Sequence, residues 1–167
     1  MNDNDLKIGK ELHKVMEKWQ KRSITSQSAH YDAGNHYEKL FLVLGCLVVT
    51  LSAAIGSAEV LVPSSRIAEI GADHVKAVSG VISLLIAILA GLQTFLKFSQ
   101  KAERHRVAGA KYGDIRRSLE EIDIVSIESV SDAKIELHEV KKRMDSMALE
   151  SPELPNRIVK KHGGTDA

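Results

Sequence analysis

The sequence predicts an all-α membrane protein: a two-helix transmembrane hairpin, with an N-terminal amphipathic helix before it and long cytoplasmic helices after it. Two uncharged runs support this prediction, Leu40 to Ala58 and Ala77 to Leu96, of nineteen and twenty residues. A helix of that length spans about 30 Å, the hydrocarbon thickness of a bilayer. Most of the charge lies in Met1 to Lys39 and Lys97 to Ala167, a segregation that a globular core does not require.

The composition argues against nucleic-acid binding and against catalysis. Lys and Arg number 23 against 22 Asp and Glu, a net charge of +1, whereas a phosphate-binding surface needs clustered positive charge. The single cysteine, Cys46, excludes a disulfide framework and a cysteine-based zinc site within one chain. No two of the seven histidines are four residues apart, and no nucleophile elbow, phosphate-binding glycine loop or HExxH motif occurs. We therefore expect no enzymatic activity, no cofactor, no metal and no nucleic-acid partner.

Residues 1–39 are predicted to form a cytoplasmic amphipathic helix followed by a joint. Between Ile8 and Trp19, apolar residues recur at spacings of three and four, with lysines on the other faces. The apolar face could lie on an anionic membrane surface or pack against the protein's own helices. Ser23 to Asn35 is rich in small polar residues and weak in apolar period, which indicates a weakened helix or a joint.

Residues 40–58 are predicted to be the first transmembrane helix. Ten of them are Leu, Ile, Val or Phe, each contributing about −0.3 to −0.6 kcal/mol to insertion. The alternative is a buried helix of a soluble bundle, which normally keeps the polar stripe that this run lacks. Residues 59–76 are the predicted external connector, in which Pro63 ends the first helix, Gly71 permits a turn and Asp73 can cap the second helix. A connector this short favours an antiparallel hairpin.

The basic residues predict the orientation of the hairpin. The connector contains Arg66 and Lys76, whereas the segments that flank the spans contain Lys21, Arg22, Lys39, Lys97, Lys101, Arg104, Arg106, Lys111 and Arg116. Because the cytoplasmic segments of membrane proteins carry the excess of Lys and Arg, both termini are predicted to be cytoplasmic.

Residues 77–98 are the predicted second span, which we expect to run on into the cytoplasm as one long helix. In residues 99–150, one set of apolar positions steps four, three, four, three along a heptad seam: Ala108, Tyr112, Ile115, Leu119 and Ile122. A second set follows Ser131, a candidate helix cap, at the same steps: Ala133, Leu137, Val140, Met144 and Met147. Pro152 and Pro155 end that helix, and residues 151–167 are predicted to be a disordered tail.

Small and polar residues mark one stripe of the second span. Such residues recur there every four positions, and small stripes let helices approach closely in lipid. The alternative is that these residues and their neighbours line a water path once several hairpins assemble. The candidate packing or pore residues are Thr50, Ser52, Gly56, Ser79, Ser83, Ala87, Gly91, Gln93 and Thr94. Neither uncharged run, Leu40 to Ala58 or Ala77 to Leu96, contains a charged residue, which argues against an ion-coupled transporter site or a voltage sensor.

Cytoplasmic self-assembly is assigned to the heptad seam and to two residues beside it. The candidate assembly residues are Trp19, His105, Tyr112, Ile115, Leu119 and Ile122. His105 lies about two turns beyond the second span, among Lys101, Arg104 and Arg106. Such a position suits a head-group or partner contact, the alternative being a solvated basic patch.

Several motifs follow one another in a characteristic order. They are a polar helix with Trp19, a first span ending TLSAAIG (Thr50 to Gly56), a second span ending LQTFLKF (Leu92 to Phe98), and the segment AERHRVAGAKYGDIRR (Ala102 to Arg117). Together they resemble the SLATT family, bacterial two-span membrane domains associated with nucleotide-signalling conflict systems. The resemblance covers about Glu17 to Ile122, and it depends on order and spacing because no single motif is diagnostic.

The resemblance implies a multi-pass protein of the bacterial inner membrane that acts as an antiphage effector. Such an effector would oligomerise and breach the membrane when a companion nucleotidyltransferase or nucleotide-sensing protein responds to infection. The expected partners are thus the lipid bilayer, further copies of this chain and a sensor of that kind. The alternative function is a non-catalytic membrane anchor or scaffold whose cytoplasmic helices recruit a partner.

Overall fold

The computed structural model describes residues 3–61, 72–125 and 130–163, and within them the chain forms five α-helices and no strands. The helices are α1 (Asp3–Leu61), α2 (Ala72–Leu96), α3 (Phe98–Val125), α4 (Val130–Glu150) and α5 (Asn156–Lys161). The all-α prediction is confirmed for this part of the chain. Residues 40–58 lie within α1, and residues 77–96 lie within α2, whereas Pro63 and Gly71 of the predicted connector lie outside the described residues.

The helices form two compact units. The bundle unit combines Met1–Asn35 with Lys101–Ala167, and the apolar unit is His36–Gln100. α1 is one uninterrupted helix of 59 residues. Its N-terminal part belongs to the bundle unit, and the rest belongs to the apolar unit.

Of the two interpretations of Ser23 to Asn35, a weakened helix or a joint, the structure has the helix, because α1 continues through the segment. Several small side chains of this segment are buried in the bundle unit, among them Ser23, Ala29 and Ala33. The segment contains few large apolar residues, as a loop does, but small residues are also what a close contact between two helices requires. Tertiary packing therefore compensates for the weak helix propensity of this segment.

Glycines bring α1 and α3 together inside the bundle unit. A Cβ atom added at Gly34 would lie 3.2 Å from the carbonyl oxygen of Ala102 and 3.2 Å from Cγ of Arg106. A Cβ at Gly109 would lie 3.3 Å from the ring of Tyr31. These separations are shorter than ordinary van der Waals contacts, so hydrogen is the only side chain that both positions accommodate without adjustment.

The heptad seam of α3 lies in the core of the bundle unit. All five of its predicted residues are buried, in one cluster with Leu12 and Met16 of α1. The predicted stripe of α4 completes the cluster, with Ala133, Leu137, Val140 and Met147 buried and Met144 packed against it. Both heptad patterns are thus confirmed as buried faces, and the N-terminal amphipathic helix packs on the protein's own helices through Leu12, Met16 and Trp19.

The helix expected to continue without interruption from the second span is broken at one residue. α2 ends at Leu96 and α3 begins at Phe98. Between them Lys97 adopts a left-handed backbone conformation with φ of 49°, which costs a residue with a side chain about 1–2 kcal/mol.

The predicted disordered tail is partly ordered. Residues Asn156–Lys161 form α5, and Ile158 is buried against Ala29 and Ala33 of α1, with Leu154 packed beside it. Pro152 and Pro155 do follow the end of α4, as predicted. The composition of the tail is polar, but two apolar side chains pack this short helix on the small-residue face of α1.

We expect Gly34→Ala to destabilise the bundle unit by about 1–3 kcal/mol, because the carbonyl of Ala102 belongs to a helix backbone and cannot move aside freely. Gly9→Ala, on the same helix, is the matched control: a Cβ there meets no atom within 4 Å among the described residues, so it should stabilise by about 0.5–1 kcal/mol through helix propensity. Urea unfolding of the detergent-solubilised protein, followed by the fluorescence of the single tryptophan Trp19, measures both. Equal effects of the two substitutions would contradict the close contact.

Candidate functional site

The apolar parts of α1 and α2 are long and apolar enough to cross a membrane, by length and composition. Their most apolar windows have mean hydropathies of 2.3 and 2.2, and no residue of these windows is buried. The large side chains exposed on them include Leu42, Val43, Leu47, Val49, Val78, Val81, Leu84, Leu85, Ile88, Leu92 and Phe95. A helix of a soluble core would have buried these side chains, whereas here they require a cover from outside the chain.

One face of each apolar helix is partly buried within the apolar unit. On α1 this face follows heptad steps through Tyr37, Phe41, Leu44, Val48, Leu51 and Ile55, and on α2 it follows Val75, Ser79, Ile82, Ile86, Leu89, Gln93 and Leu96. Two contacts align the helices. The rings of Tyr37 and Phe98 stack with centroids 6.2 Å apart, and Nε2 of Gln93 would lie 3.3 Å from a Cβ at Gly45.

The small-residue stripe of α2 mostly faces outward. Ser79 is partly buried, but Ser83, Ala87 and Gly91 are exposed, and a Cβ at Gly91 would meet no atom within 4 Å among the described residues. A Cβ at Gly56 of α1 also has open space around it. Packing among the described residues therefore leaves most of the stripe uncovered, and another helix can contact it.

Three of the hydroxyls among the candidate pore residues bond back to their own helices. Thr50 Oγ1 donates to the carbonyl of Cys46 at 2.8 Å, Ser52 Oγ donates to Val48 at 2.8 Å, and Thr94 Oγ1 donates to Ala90 at 3.1 Å. This is the usual way in which Ser and Thr satisfy their hydroxyls in an apolar helix. Gln93 lies on the partly buried face and contacts α1 through Gly45.

A buried histidine pair connects α1 and α3 in the bundle unit. His30 is 3% exposed and His105 is 2% exposed, and their Nδ1 atoms are 3.1 Å apart. The ring of His30 also stacks on Tyr112, with centroids 5.5 Å apart and an interplanar angle of 15°. His105 therefore lies inside the core, and both its predicted head-group contact and the alternative of a solvated basic patch are wrong.

Burial keeps both rings neutral, because an imidazolium loses its hydration when it is taken out of water. Desolvation and then the charge of His105 lower the pKa of His30 from 6.5 to about 4. Desolvation also lowers the pKa of His105. With two neutral rings, one Nδ1 carries a hydrogen and donates it to the bare Nδ1 of the other ring.

The predicted assembly residues are brought together, but within one chain. Tyr112, Ile115, Leu119 and Ile122 are buried in the core of the bundle unit, and Trp19 packs against the same cluster. Their contacts are with α1 and α4, so a second copy of the chain would not reach them in this state.

Two buried or half-buried polar residues of α1, His30 and Asp32, were not predicted from the sequence as site residues. Asp32 accepts hydrogen bonds from Nζ of Lys161 at 2.7 Å and from Nε2 of His162 at 2.9 Å, and these bonds lower the pKa of its carboxyl group. The two groups therefore tie the end of α5 to α1. Their partners are 75 to 130 residues away in the chain, so no local spacing could have revealed them.

Asp32→Asn should loosen α5, because the neutral amide loses the ion pair with Lys161. An exposed or half-exposed pair is worth about 0.2–1 kcal/mol, so trypsin should cleave after Lys160 and Lys161 about two to five times faster. Glu139→Gln is the matched control, since it removes a single ion pair with Lys142 inside α4. Equal cleavage rates for Asp32→Asn and the unsubstituted protein would show that Ile158 alone holds α5.

A set of three or more His, Cys, Asp or Glu side chains that could hold a metal ion does not occur in the described part of the chain. Comparison with known proteins gives no identification: no protein-family model, no curated protein and no solved structure matches this chain. The resemblance to the SLATT family therefore depends on the order and spacing of the motifs alone. What defines the molecule is a pair of uncovered apolar helices and a bundle unit closed around a neutral histidine pair.

Proposed function

We propose that the chain is an inner-membrane effector whose apolar helices insert as an antiparallel hairpin, assemble with further copies and permeabilise the bilayer. The observation that carries this proposal is the uncovered apolar surface of α1 and α2. Lipid covers such a surface without cost, whereas water would drive it to aggregate. The uncharged lengths match the thickness of a bilayer.

The contacts within the apolar unit support an antiparallel hairpin. Tyr37 contacts Phe98. Gly45, which follows Tyr37 in α1, contacts Gln93, which precedes Phe98 in the chain, so the two helices run in opposite directions. The aromatic pair Tyr37 and Phe98 lies at the charged ends of the two apolar runs, where interfacial aromatic residues are usually found. With the excess of Lys and Arg on this side, both termini would be cytoplasmic.

The outward stripe of α2 is the surface that we assign to assembly. The heptad seam is occupied by α1 and α4 of the same chain, whereas Ser83, Ala87 and Gly91 are exposed. In lipid, helices associate through small residues that permit close van der Waals contact. Copies that meet along this stripe would leave the polar side chains of the spans near the axis of the assembly, where water could enter.

Gly91→Leu tests the effector function. The added side chain should block close approach along the stripe and reduce dye leakage from vesicles by at least about tenfold, since a side chain inserted into a close-packed contact costs about 1–3 kcal/mol and several interfaces combine. Val78→Phe is the matched control. Val78→Phe adds as many carbon atoms as Gly91→Leu does, at an exposed position. Val78 precedes Ala87 by nine residues, which places it on the opposite side of α2 from the stripe.

Insertion is measured in the same experiment by resistance to carbonate extraction, which both variants should retain. Unchanged leakage with Gly91→Leu would refute the stripe as the assembly surface.

A scaffold function is the alternative, and the exposed groove between α3 and α4 favours it. This groove, of about 620 Å³, is lined by apolar side chains that include Val107 and Ala110 and by charged side chains of both helices. If the unsubstituted protein inserts into vesicles but releases no dye at any density, the hairpin is an anchor, and the bundle unit carries the function.

A further inference from the structure

We propose that the groove between α1 and α4 is a docking site for a helix of a partner protein, and that this helix carries acidic side chains on both sides of an apolar stripe. The groove lies within the bundle unit. The inference goes beyond the proposed function, because it holds whether the apolar helices permeabilise a membrane or only anchor the chain.

The groove has a volume of about 490 Å³ and is lined by apolar side chains of both helices. Leu12 and Leu137 belong to the core cluster and are only 8% and 7% exposed. Val15 is 38% exposed and Ile8 is partly exposed, so these two provide most of the apolar surface that remains accessible. They are seven residues apart, which is about two turns of α1 and matches the spacing of the anchor side chains in a helix that docks in a groove.

Lysines stand on both sides of this apolar surface. Lys7 of α1 and Lys134 of α4 line the groove and are exposed. Lys14 and Lys141 follow them at a spacing of seven, which places each on the same face of its helix as the first lysine. In the described part of the chain, no ion pair involves Lys7, Lys134 or Lys141.

The acidic side chains of the groove do not balance these lysines. Among the described lining residues one is acidic, Glu11, and its Oε1 atom lies 3.0 Å from Nζ of Lys14. Once this pair is counted, the groove keeps the positive charges of Lys7 and Lys134. Complementary charge selects between partners and speeds their association, so a partner with negative side chains beside its apolar stripe is favoured here.

The groove between α3 and α4 lacks this excess of charge. Its three basic lining residues are each paired with an acidic lining residue, namely Lys111 with Glu150, Lys142 with Glu139 and Arg143 with Asp114. An acidic partner would have to break these pairs to form new ones, and a basic partner would have to do the same. Of these two grooves beside α4, only the one with α1 therefore selects a partner by the sign of its charge.

The apolar surface of the groove favours a protein helix over nucleic acid and over a bilayer. Nucleic acid is bound mainly through its phosphates, which offer no cover for Ile8 and Val15. An amphipathic helix binds a bilayer through its large apolar side chains, but Leu12, Met16 and Trp19 of α1 are packed in the core cluster.

The lysines also disfavour a second copy of this chain as the occupant. In a symmetric dimer the same patch lies on both sides of the interface. Two copies that met at this groove would therefore place Lys7 and Lys134 against the same lysines of the other copy, and like charges repel. An acidic amphipathic helix of a different protein meets neither obstacle.

A displayed library of amphipathic helices tests the proposal. Every member has the same apolar stripe, and the positions beside the stripe are randomised. The library is selected on the full chain held in nanodiscs of neutral phosphatidylcholine. We expect the bound helices to be enriched in Asp and Glu at the randomised positions. Enrichment of basic or neutral side chains, or no enrichment, would overturn the proposal.

Charge reversal locates the site. The double substitution Lys7→Glu and Lys134→Glu should weaken binding of a selected helix by at least about tenfold, because repulsion replaces attraction on both sides of the groove. The same library selected on this variant should instead enrich Lys and Arg, a result that an unfolded variant cannot give. Lys111→Glu with Lys142→Glu is the matched control, since it changes the net charge equally in the other groove. Equal loss of affinity in both double variants would overturn the proposal.

Photocrosslinking identifies the occupant of the groove. Benzoylphenylalanine is placed at Val15, and at Leu149 as the control, which is 89% exposed and does not line the groove. The labelled chains are irradiated in nanodiscs that contain anionic phosphatidylglycerol, with the selected helix and an oligonucleotide both added. The adduct at Val15 should have the mass of the helix, and the control should give little of it. A lipid adduct, an oligonucleotide adduct or a crosslinked dimer in its place would overturn the proposal.

Discussion

The close contact of α1 with α3 is the constraint on which the bundle unit depends. It is possible because Gly34 and Gly109 present no side chain to the opposing helix, and the dispersion attraction between two helices at that distance falls off steeply with any separation. The contact positions His30 against His105 and aligns Leu12 and Met16 with the heptad seam. α4 then packs on the heptad seam, and Ile158 of α5 packs on Ala29 and Ala33 of α1.

The helices and their buried faces follow from the sequence because both are local properties. A heptad spacing in α3 or α4 determines which side chains share a face, and every residue of the two predicted stripes is buried or packed on the core. The partner of each face is not a local property. A seam has the same spacing whether it packs on its own chain or on another copy, so periodicity could not decide between the bundle core and an assembly interface.

The residues that the sequence analysis missed share one physical reason. His30 and Asp32 lie in a segment whose small polar residues resemble a joint, and their partners come from distant parts of the chain. Small residues have two opposite effects on helices: they weaken an isolated helix, and they permit the closest contacts between helices. Only the presence of α3 opposite this segment distinguishes the two. α5 was not predicted for the same reason. Its two apolar side chains stabilise a helix only because the small-residue face of α1 lies against them.

Lys97 gives the two long helical paths of the molecule different mechanical properties. α1 keeps one register of backbone hydrogen bonds over its whole length, so a twist applied at one end reaches the other through the stiffness of the helix. At Lys97 the left-handed backbone interrupts that register, and α2 and α3 can change their twist separately by adjusting two dihedral angles.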